Sequence, residues 1–276
     1  MKSFGKIIDV WAQPAVRQMK ENLPEVASLL ERSGSAGISA EDVTPDEFVQ
    51  QMDEAGFDKV FLSAWHRPGK SITSNDYIAD YIKKYPDRLY GMATVNLADP
   101  VAAVAELERA VKDLGMKALR IVPWLWNLAP NHKLYYPLFV KCIELDIPFC
   151  TQIGHTGPLM PSETGRLIPY LDEVMLTFPD LKVVGGHMGF PWTQETIGMM
   201  MKHKNFYIDT SAHLPKTYPQ DILDYMKTWG RKKILFGTNY PQLALKKCSK
   251  QLAALELPGK IEQAFLYENA KALFKI

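Results

Sequence analysis

Short apolar runs recur about eight times along the chain, and segments with helical spacing of apolar residues separate them. The runs lie at residues 6–11, 58–63, 89–94, 117–122, 147–152, 181–186, 205–209 and 233–236. Runs this short and this apolar are typical of parallel strands that helices cover on both faces. About eight strands alternating with helices over 276 residues is the count of a (β/α)8 barrel. The pattern therefore predicts an α/β protein, a TIM barrel that forms a single domain over residues 1–276.

One segment departs from the simple alternation, because residues 15–43 are too long for a plain first loop. We expect them to form a lid-like insertion over the barrel mouth, after the first strand. The next helix is indicated by Thr44-Pro45-Asp46-Glu47, which combines an N-cap residue, a proline at the first helical position and acidic residues in the first turn. A doubly wound open sheet is the competing fold, but no Gly-x-Gly-x-x-Gly follows an early strand.

The amino-acid composition limits the kinds of molecule that the protein is expected to bind. The chain has 32 basic and 31 acidic residues, so neither nucleic acid nor an anionic membrane is an expected partner. No apolar stretch approaches the roughly 20 residues of a membrane helix, and no signal-peptide pattern is visible. We therefore expect a cytoplasmic protein that acts on a small-molecule substrate. A hydrophobic content of 47% permits a homodimer interface, which the chain itself does not reveal.

Polar and aromatic side chains gather just after the predicted strands. In a barrel the chemistry lies at the carboxyl ends of the strands, because the loops that follow them meet at one mouth. The side chains at these positions are Asp9, Trp11, Gln13, His66, Arg67, Asn96, Arg120, Trp124, Trp126, Gln152, His155, His187, Asp209, His213 and Asn239. Folding alone does not require histidine, arginine and carboxylate side chains to converge on one face. The pattern predicts a polar active site at the barrel mouth.

Several of these segments together resemble the amidohydrolase-related (amidohydrolase 2) TIM barrels, in the branch of decarboxylases and hydratases. The matching segments are Asp9-Val-Trp11-Ala-Gln13, Gln152-Ile-Gly-His155-Thr-Gly, Gly185-Gly-His187-Met-Gly, Tyr207-Ile-Asp209-Thr-Ser211, Ile234-Leu-Phe-Gly-Thr-Asn239 and the closing segment Tyr267-Glu-Asn269-Ala270. The resemblance covers the whole chain. It implies a metal-binding histidine at the position of His155 and a catalytic acid or base at the position of His187.

The chain departs from the family pattern at the implied metal ligands. Where the family's first strand carries Asp-x-His-x-His, this chain has Trp11 and Gln13 at the two His positions, and Asn239 replaces the Asp of the last strand. A catalytic zinc usually takes about three protein ligands plus water. Of the four ligands that the resemblance implies, His155 alone remains, and His187 is the other residual candidate. We therefore expect no metal cofactor, with weakly held zinc as the alternative.

The resemblance and the residue types together predict four catalytic residues. We expect His187 to act as general base or acid, and His155 to be a second proton carrier or hydrogen-bond donor. Arg120 would hold a carboxylate or another anion in the bidentate geometry that its planar guanidinium allows. Asp209 would orient a histidine or a water. The alternative for Asp209 is a structural partner for Arg120 or for a backbone N–H.

The expected substrate-binding residues are Trp11, Gln13, His66, Trp124, Trp126 and Asn239. The tryptophans would form apolar walls suited to a planar aromatic group, with loop packing as the alternative for Trp124 and Trp126. The amides of Gln13 and Asn239 would donate to a developing oxyanion. The basic segment 66–70 would meet a CoA phosphate or a carboxylate, with a solvated loop as the alternative.

Two longer segments narrow the resemblance further. Together with Ile8-Asp-Val-Trp-Ala-Gln13, the segments Val122-Pro-Trp-Leu-Trp126 and Cys150-Thr-Gln-Ile-Gly-His155-Thr-Gly-Pro-Leu159 resemble a metal-degenerate subgroup, some members of which are described as 4-hydroxyphenyl-β-ketoacyl-CoA hydrolases. The resemblance implies metal-independent hydrolytic cleavage of a β-keto acyl or related carbonyl substrate, by histidine acid–base catalysis. The substrate would be a CoA thioester or an aromatic acid. Two alternatives stay open: a decarboxylase (carboxy-lyase) of an aromatic or enoic acid, and a catalytically inactive barrel that binds a ligand.

Overall fold

A nearly closed barrel of eight parallel strands dominates residues 5–34 and 42–276, which are the residues that the computed structural model describes. The strands are β1 (Ile8–Ala12), β2 (Lys59–Ser63), β3 (Trp65–Arg67), β4 (Lys70–Thr73), β5 (Leu89–Ala93), β6 (Ala118–Ile121), β7 (Phe149–Gln152), β8 (Val183–Gly186), β9 (Phe206–Asp209) and β10 (Ile234–Leu235). β3 and β4 form a separate antiparallel hairpin, and the other eight pair in parallel in chain order. Each predicted strand overlaps one barrel strand, so the TIM-barrel prediction is confirmed.

The ring closes between its first and last strands. The Val10 N–H donates to the Phe236 carbonyl at 3.0 Å, and a parallel bridge joins Ala12 to Tyr240. Asp9 reinforces this seam, because its carboxylate accepts the backbone N–H groups of Trp11 and Thr238, each at 3.0 Å. Asp9 is fully buried and is therefore a structural clamp between the two strands.

Helices surround the barrel and connect its strands. Those of the described residues are α1 (Arg17–Asn22), α2 (Pro24–Arg32), α3 (Pro45–Ala55), α4 (Asn75–Lys83), α5 (Pro100–Lys112), α6 (Pro123–Trp126), α7 (Tyr136–Glu144), α8 (Tyr170–Thr177), α9 (Thr193–Lys202), α10 (Gln220–Met226), α11 (Leu245–Leu252), α12 (Gly259–Gln263) and α13 (Asn269–Phe274). α3 begins with a capping box, in which Thr44 and Glu47 each accept the other's backbone N–H. It ends at Gly56, whose left-handed backbone (φ 79°) suits glycine. The predicted helix start at Thr44 is confirmed.

The apolar core lies in two places. A large cluster fills the layer between the strands and the helices, and a smaller one fills the barrel interior with side chains such as Ile8, Phe61 and Val184. The ring of Phe274 from α13 lies 4.4 Å from that of Phe61, so the last helix covers the amino-terminal end of the barrel. Burying one such aromatic side chain contributes about 1.5–3 kcal/mol. The active site is therefore expected at the opposite end of the barrel, where the strands have their carboxyl ends.

The predicted insertion 15–43 contains α1 and α2, while its residues 35–41 lie outside the described residues. The two ends of the described part meet, because the Val43 N–H donates to the Ala15 carbonyl at 2.9 Å. That this segment works as a lid stays a prediction. None of the helices in the described parts of the chain is long and apolar enough to cross a membrane.

Candidate active site

A cavity of about 140 Å³ lies at the carboxyl end of the barrel. It is lined by most of the predicted site residues, namely Trp11, Gln13, Arg120, Trp124, His155, His187 and Asn239. Side chains from β1, β6 and the segment after β10 form part of its floor, and α1 and α2 contribute apolar residues to its mouth. By the criterion that about 10–15 Å³ holds one water, the cavity has room for a small organic molecule.

The guanidinium of Arg120 is the charged group at the floor of this cavity. Its central carbon lies 3.8 Å from the centre of the Trp11 ring, and its Nη1 donates to the Ser63 hydroxyl at 2.9 Å. Burial lowers the pKa of Arg120 to about 9, although the negative charge of Asp209 opposes that shift. The side chain is therefore a fixed cation at neutral pH. Its Nε is buried and has no hydrogen-bond partner among the described residues.

Trp11 reaches the barrel axis because two glycines make room for it. A Cβ atom at Gly186 would lie 2.8 Å from the Trp11 ring, and one at Gly237 would lie 3.1 Å from the Trp11 Cβ. The same ring meets the His187 imidazole edge-on, with 5.3 Å between ring centres. The Trp11 ring therefore contacts both the cation Arg120 and the imidazole of His187. The glycine pair before His187 serves close packing.

A chain of hydrogen bonds runs along the β1–β10 seam, and we call it the amide side of the site. Arg120 Nη2 donates to Gln13 Oε1 (3.2 Å), Gln13 Nε2 donates to Asn239 Oδ1 (3.2 Å), and Asn239 Nδ2 donates to Gln242 Oε1 (2.6 Å). We expected the Gln13 and Asn239 amides to be offered to an oxyanion. In the structure both amides instead form hydrogen bonds with neighbouring side chains, and these bonds fix the position of Arg120.

A second hydrogen-bonded group lies across β8 and β9, and we call it the relay side. His187 Nδ1 lies 2.7 Å from the Ser211 hydroxyl, and that hydroxyl donates to Asp209 Oδ1 in a very short bond. The Ser211 N–H also donates to Asp209 Oδ1, at 2.9 Å. Since a hydroxyl has one hydrogen, its oxygen must accept from His187 Nδ1–H. The imidazole therefore leaves its Nε2 free to accept a proton.

Burial shifts the pKa values of the two titratable groups on the relay side, His187 and Asp209. Burial raises the pKa of Asp209 to about 6, and hydrogen bonds from Ser211 and the charge of Arg120 oppose that shift. Burial also lowers the pKa of His187 well below its usual value, and His213 and Arg120 lower it further. At neutral pH the site therefore holds a neutral imidazole and an ionised Asp209, joined by one hydroxyl. His187 has a positive φ of 72°, a strained backbone that is more common at functional positions.

His155 lies at the rim of the cavity and is exposed to solvent. Its backbone N–H donates to the Phe190 carbonyl at 2.7 Å, and its Nδ1 lies 3.2 Å from the same oxygen. The loop that carries it is held by Gln152, whose Nε2 donates to three consecutive backbone carbonyls, each at 3.1 Å. The structure therefore places His155 at the entrance and His187 at the floor.

Three predicted site residues do not line the cavity. His66 and Trp126 stack on each other, with ring centres 5.7 Å apart, and Asp209 lies behind Ser211. The basic segment 66–70 belongs to the hairpin β3–β4, and its Arg67 pairs with Glu25 of α2 at 3.1 Å. The expected contacts of His66 and Trp126 with substrate are thus replaced by packing between the two rings. The side chain of Arg67 is engaged by the protein and not offered to a CoA phosphate.

Sequence reasoning missed three contributions to the cavity. The Ser211 hydroxyl and the Gln242 amide complete the two hydrogen-bonded groups, and apolar residues of α1 and α2 line the mouth. Ser211 stood in the Tyr-x-Asp-x-Ser segment, which could have drawn attention to it. Gln242 has no comparable sequence signal, because its partner is defined by the turn after β10.

The barrel and its polar mouth define the class of the protein as a TIM-barrel enzyme of the kind that works at the carboxyl ends of its strands. The family model described as Amidohydrolase matches residues 8–276, so the chain belongs to the amidohydrolase family of enzymes. The recognition of that family from the strand-end segments is confirmed.

Individual relatives agree with this family. Gamma-resorcylate decarboxylase of Polaromonas sp. is 25% identical over 291 residues, covering 84% of this chain and 87% of the relative. A crystal structure of an uncharacterised TIM-barrel protein from Bordetella bronchiseptica superposes with a TM-score of 0.83, at 23% identity over 98% of this chain and 99% of the other. A dihydroxybenzoic acid decarboxylase from Polaromonas sp., crystallised with manganese and 2-nitroresorcinol, gives a TM-score of 0.76 at 21% identity, over 99% and 97% of the two chains.

These relatives correct two expectations. We favoured hydrolysis and kept decarboxylation as the alternative, and the relatives agree better with decarboxylation. They do not support the finer resemblance to β-ketoacyl-CoA hydrolases. We expected no metal cofactor, and this prediction is contradicted by the manganese of the Polaromonas structure, which points to a metal ion cofactor in the family.

The side chains of this protein do not fit such an ion at three of the four positions that the resemblance assigns, because His155 alone is a metal-binding type. Trp11 has no lone pair to offer, and Gln13 and Asn239 are neutral amides that are bonded to each other. The cation Arg120 lies against Trp11, where it would repel a metal ion. Within residues 5–34 and 42–276, no three His, Cys, Asp or Glu side chains form a group that could hold a metal.

Proposed function

We propose that the protein is a decarboxylase of a small aromatic acid. The observation that carries this proposal is the arrangement at the cavity floor, where the buried cation Arg120 and the neutral imidazole of His187 line one cavity and both contact the Trp11 ring. An aromatic carboxylate needs a cation for its charged end, an apolar wall for its ring and a proton carrier near the carbon that loses CO2. The decarboxylase relatives support the same reaction.

Arg120 supplies the binding energy for the carboxylate. Its guanidinium lines the cavity and carries a positive charge, so a bound carboxylate would accept charge-assisted hydrogen bonds from it. Charge-assisted hydrogen bonds of this kind contribute about 1.5–3 kcal/mol each. The amide side keeps the guanidinium in place, because Gln13 accepts one of its N–H groups. The walls formed by Trp11, Trp65 and Trp124 suit a planar ring.

His187 carries the proton in this mechanism. Its free Nε2 accepts the proton of a ring hydroxyl, which makes the ring electron-rich, and then delivers that proton to the ring carbon that bears the carboxylate. The bond between that carbon and the carboxylate breaks, its electron pair returns to the ring, and CO2 leaves. The oxygen regains a proton from solvent, so the products are CO2 and the hydroxyarene. The ionised Asp209 stabilises the transient imidazolium through Ser211.

The test is a product assay with a panel of 2-hydroxybenzoates and a β-keto acyl thioester. We expect CO2 and the corresponding phenol to form in equal amounts from at least one of the hydroxybenzoates. Parallel samples contain Mn²⁺, because a relative holds that ion. Hydrolysis of the thioester, with no CO2 from any aromatic acid in either set of samples, would contradict the proposal.

A further inference from the structure

The mouth of the cavity is covered by a group of apolar side chains that the proposed mechanism does not use. They are Val16, Met19, Val26, Leu29 and Leu30, and we call them the apolar roof. Val16 directly precedes α1, and the other four lie on the short helices α1 and α2. All five line the same cavity as Arg120 and His187.

The roof is fixed to the barrel on two sides. On one side Arg67 of the hairpin pairs with Glu25 at 3.1 Å and donates to the Asn22 carbonyl at 2.9 Å. On the other side Arg32 donates to the carbonyl of Gly157, in the loop after β7, at 2.8 Å. The Leu29 side chain also packs on Gly157, where a Cβ atom would lie 3.3 Å from it. These contacts hold the apolar roof in a defined position over the cavity.

The charged Arg120 and the apolar roof occupy opposite ends of the cavity, with the exposed His155 at its rim. Arg120, Gln13 and His187 lie on the barrel strands or directly after them, whereas the roof residues come from the insertion and carry no polar side chain. A ligand that fills this cavity has its charged end at the strands and an apolar end at the mouth. A bare hydroxybenzoate would leave the roof facing water, and exposing such apolar surface is unfavourable.

We infer that the substrate is an aromatic acid with an apolar substituent, alkyl or aryl, on the ring edge away from the carboxylate. This inference rests on the proposed function for the orientation of the acid. Each methylene moved from water to an apolar wall favours binding by about fourfold. A propyl group at this edge should therefore tighten binding by at least about tenfold.

The test compares 2-hydroxybenzoate, 4-propyl-2-hydroxybenzoate and 4-carboxy-2-hydroxybenzoate, which differ only at the far edge. Dissociation constants come from isothermal titration calorimetry, and CO2 release is measured with the same acids. We expect the propyl compound to bind at least about tenfold more tightly than the parent, and the dicarboxylate to bind more weakly than the parent.

Variants assign the effect to the roof. Leu29→Asn keeps the approximate size of the side chain but makes it polar, and we expect the preference for the propyl compound to fall at least about fivefold. Leu159→Asn is the matched control, because Leu159 is 76% exposed and does not line the cavity. This control should keep the wild-type preference. If Leu29→Asn does not fold, Val26→Thr makes the same test with a side chain of nearly equal shape.

The outcomes separate the two proposals. Equal dissociation constants for the parent and propyl acids, or an unchanged preference in the roof variants, would overturn the inference about the roof. Tight and selective binding of the propyl acid, with no CO2 release from it or from any acid of the panel, would keep the preference for an apolar substituent and refute the decarboxylase proposal. CO2 release from all three acids at similar efficiency would do the reverse.

Discussion

The amide side and the relay side of the cavity floor differ in what their hydrogen bonds can do. On the amide side, Gln13 and Asn239 are neutral at every pH, and their bonds only fix the position of Arg120. On the relay side, His187 and Asp209 both titrate, and one hydroxyl couples them. Under the proposed function, the first group holds the anion and the second moves the proton. Binding and proton transfer would then be divided between neighbouring pairs of strands.

The largest effect is expected from removing the proton carrier, His187→Ala. General acid–base groups contribute about 10²–10⁴ to rate, so we expect kcat for CO2 release to fall by about 10³. The dissociation constant of the acid should change much less, because Arg120 is untouched. The control is His132→Ala, in the segment between α6 and α7 and away from the cavity lining. Equal turnover by the His187→Ala and wild-type proteins would remove the relay side from the mechanism.

Removing the cation tests the amide side. Arg120→Gln deletes the charge that binds the carboxylate, and charge-assisted bonds lost at about 1.5–3 kcal/mol each predict binding weaker by about 10²-fold. Arg120→Lys keeps the charge but lacks the planar guanidinium, so its affinity for the acid should lie between those of the wild type and Arg120→Gln. Calorimetry measures the binding, and thermal unfolding checks that both variants fold. If Arg120→Gln binds the acid as tightly as the wild type while its kcat falls, Arg120 acts in catalysis and not in binding of the carboxylate.

A smaller effect is expected from breaking the bridge between His187 and Asp209. Ser211→Ala should lower kcat about tenfold, since a hydrogen bond of about 1 kcal/mol is lost and a buried donor is left unpaired. Burial raises the pKa of Asp209 to about 6 while the Ser211 hydroxyl opposes that shift. Activity of the wild type should therefore rise as pH increases through about 6, and this limb should move to higher pH in Ser211→Ala.

Two further measurements separate a proton-handling role of Ser211 from mere packing. Ser211→Thr keeps the hydroxyl and should recover most of the lost kcat and the original pH limb. Nitrogen NMR of the His187 ring should show the proton on Nδ1 in the wild type and a mixture of tautomers in Ser211→Ala. A pH profile that is identical in all three proteins would contradict the relay.

The last prediction concerns stability instead of activity, and it tests the buried carboxyl group of Asp9 at the β1–β10 seam. Burial raises the pKa of Asp9 to about 7, despite hydrogen bonds from Thr238 and Trp11 that oppose the shift. The folded state thus binds its proton more tightly than the unfolded state does. The free energy of unfolding should therefore be highest at low pH and fall by up to about 1.4 kcal/mol per pH unit between about pH 4 and 7 on account of this group.

Asp9→Asn removes this titration and can still accept the two backbone N–H groups through its amide oxygen. The melting temperature of the variant minus that of the wild type should therefore increase from pH 4 to pH 7 and then level off. A difference that does not depend on pH would mean that Asp9 is not the group that titrates in this pH range.

The alternation of strands and helices was readable from the chain because it depends on local patterns. Strands such as Lys59–Ser63 and Val183–Gly186 are short apolar runs, and the helix start at Thr44 follows from residues within one turn. Once the barrel was predicted, its geometry brought polar residues at strand ends to one mouth. This is why Trp11, Arg120 and His187 could be expected to share a cavity before any contact was known.

The partners of these residues were decided by the tertiary structure alone. Gln13 and Asn239 are 226 positions apart, and only the closure of the ring brings their amides into one chain. His66 follows a strand end as the other candidates do, yet the hairpin turns its ring onto Trp126. The α1 and α2 side chains had no sequence signal that separates a cavity wall from ordinary core.

The sequence by itself thus determined the barrel, the end at which its chemistry lies and most of the residues that gather there. The tertiary structure decided which side chains bond to one another, which only pack, and which surface faces the ligand. The physical reason is that periodicity and strand ends are properties of neighbouring residues. Hydrogen bonds, burial and pKa values depend on groups that meet only when the ring of strands has closed.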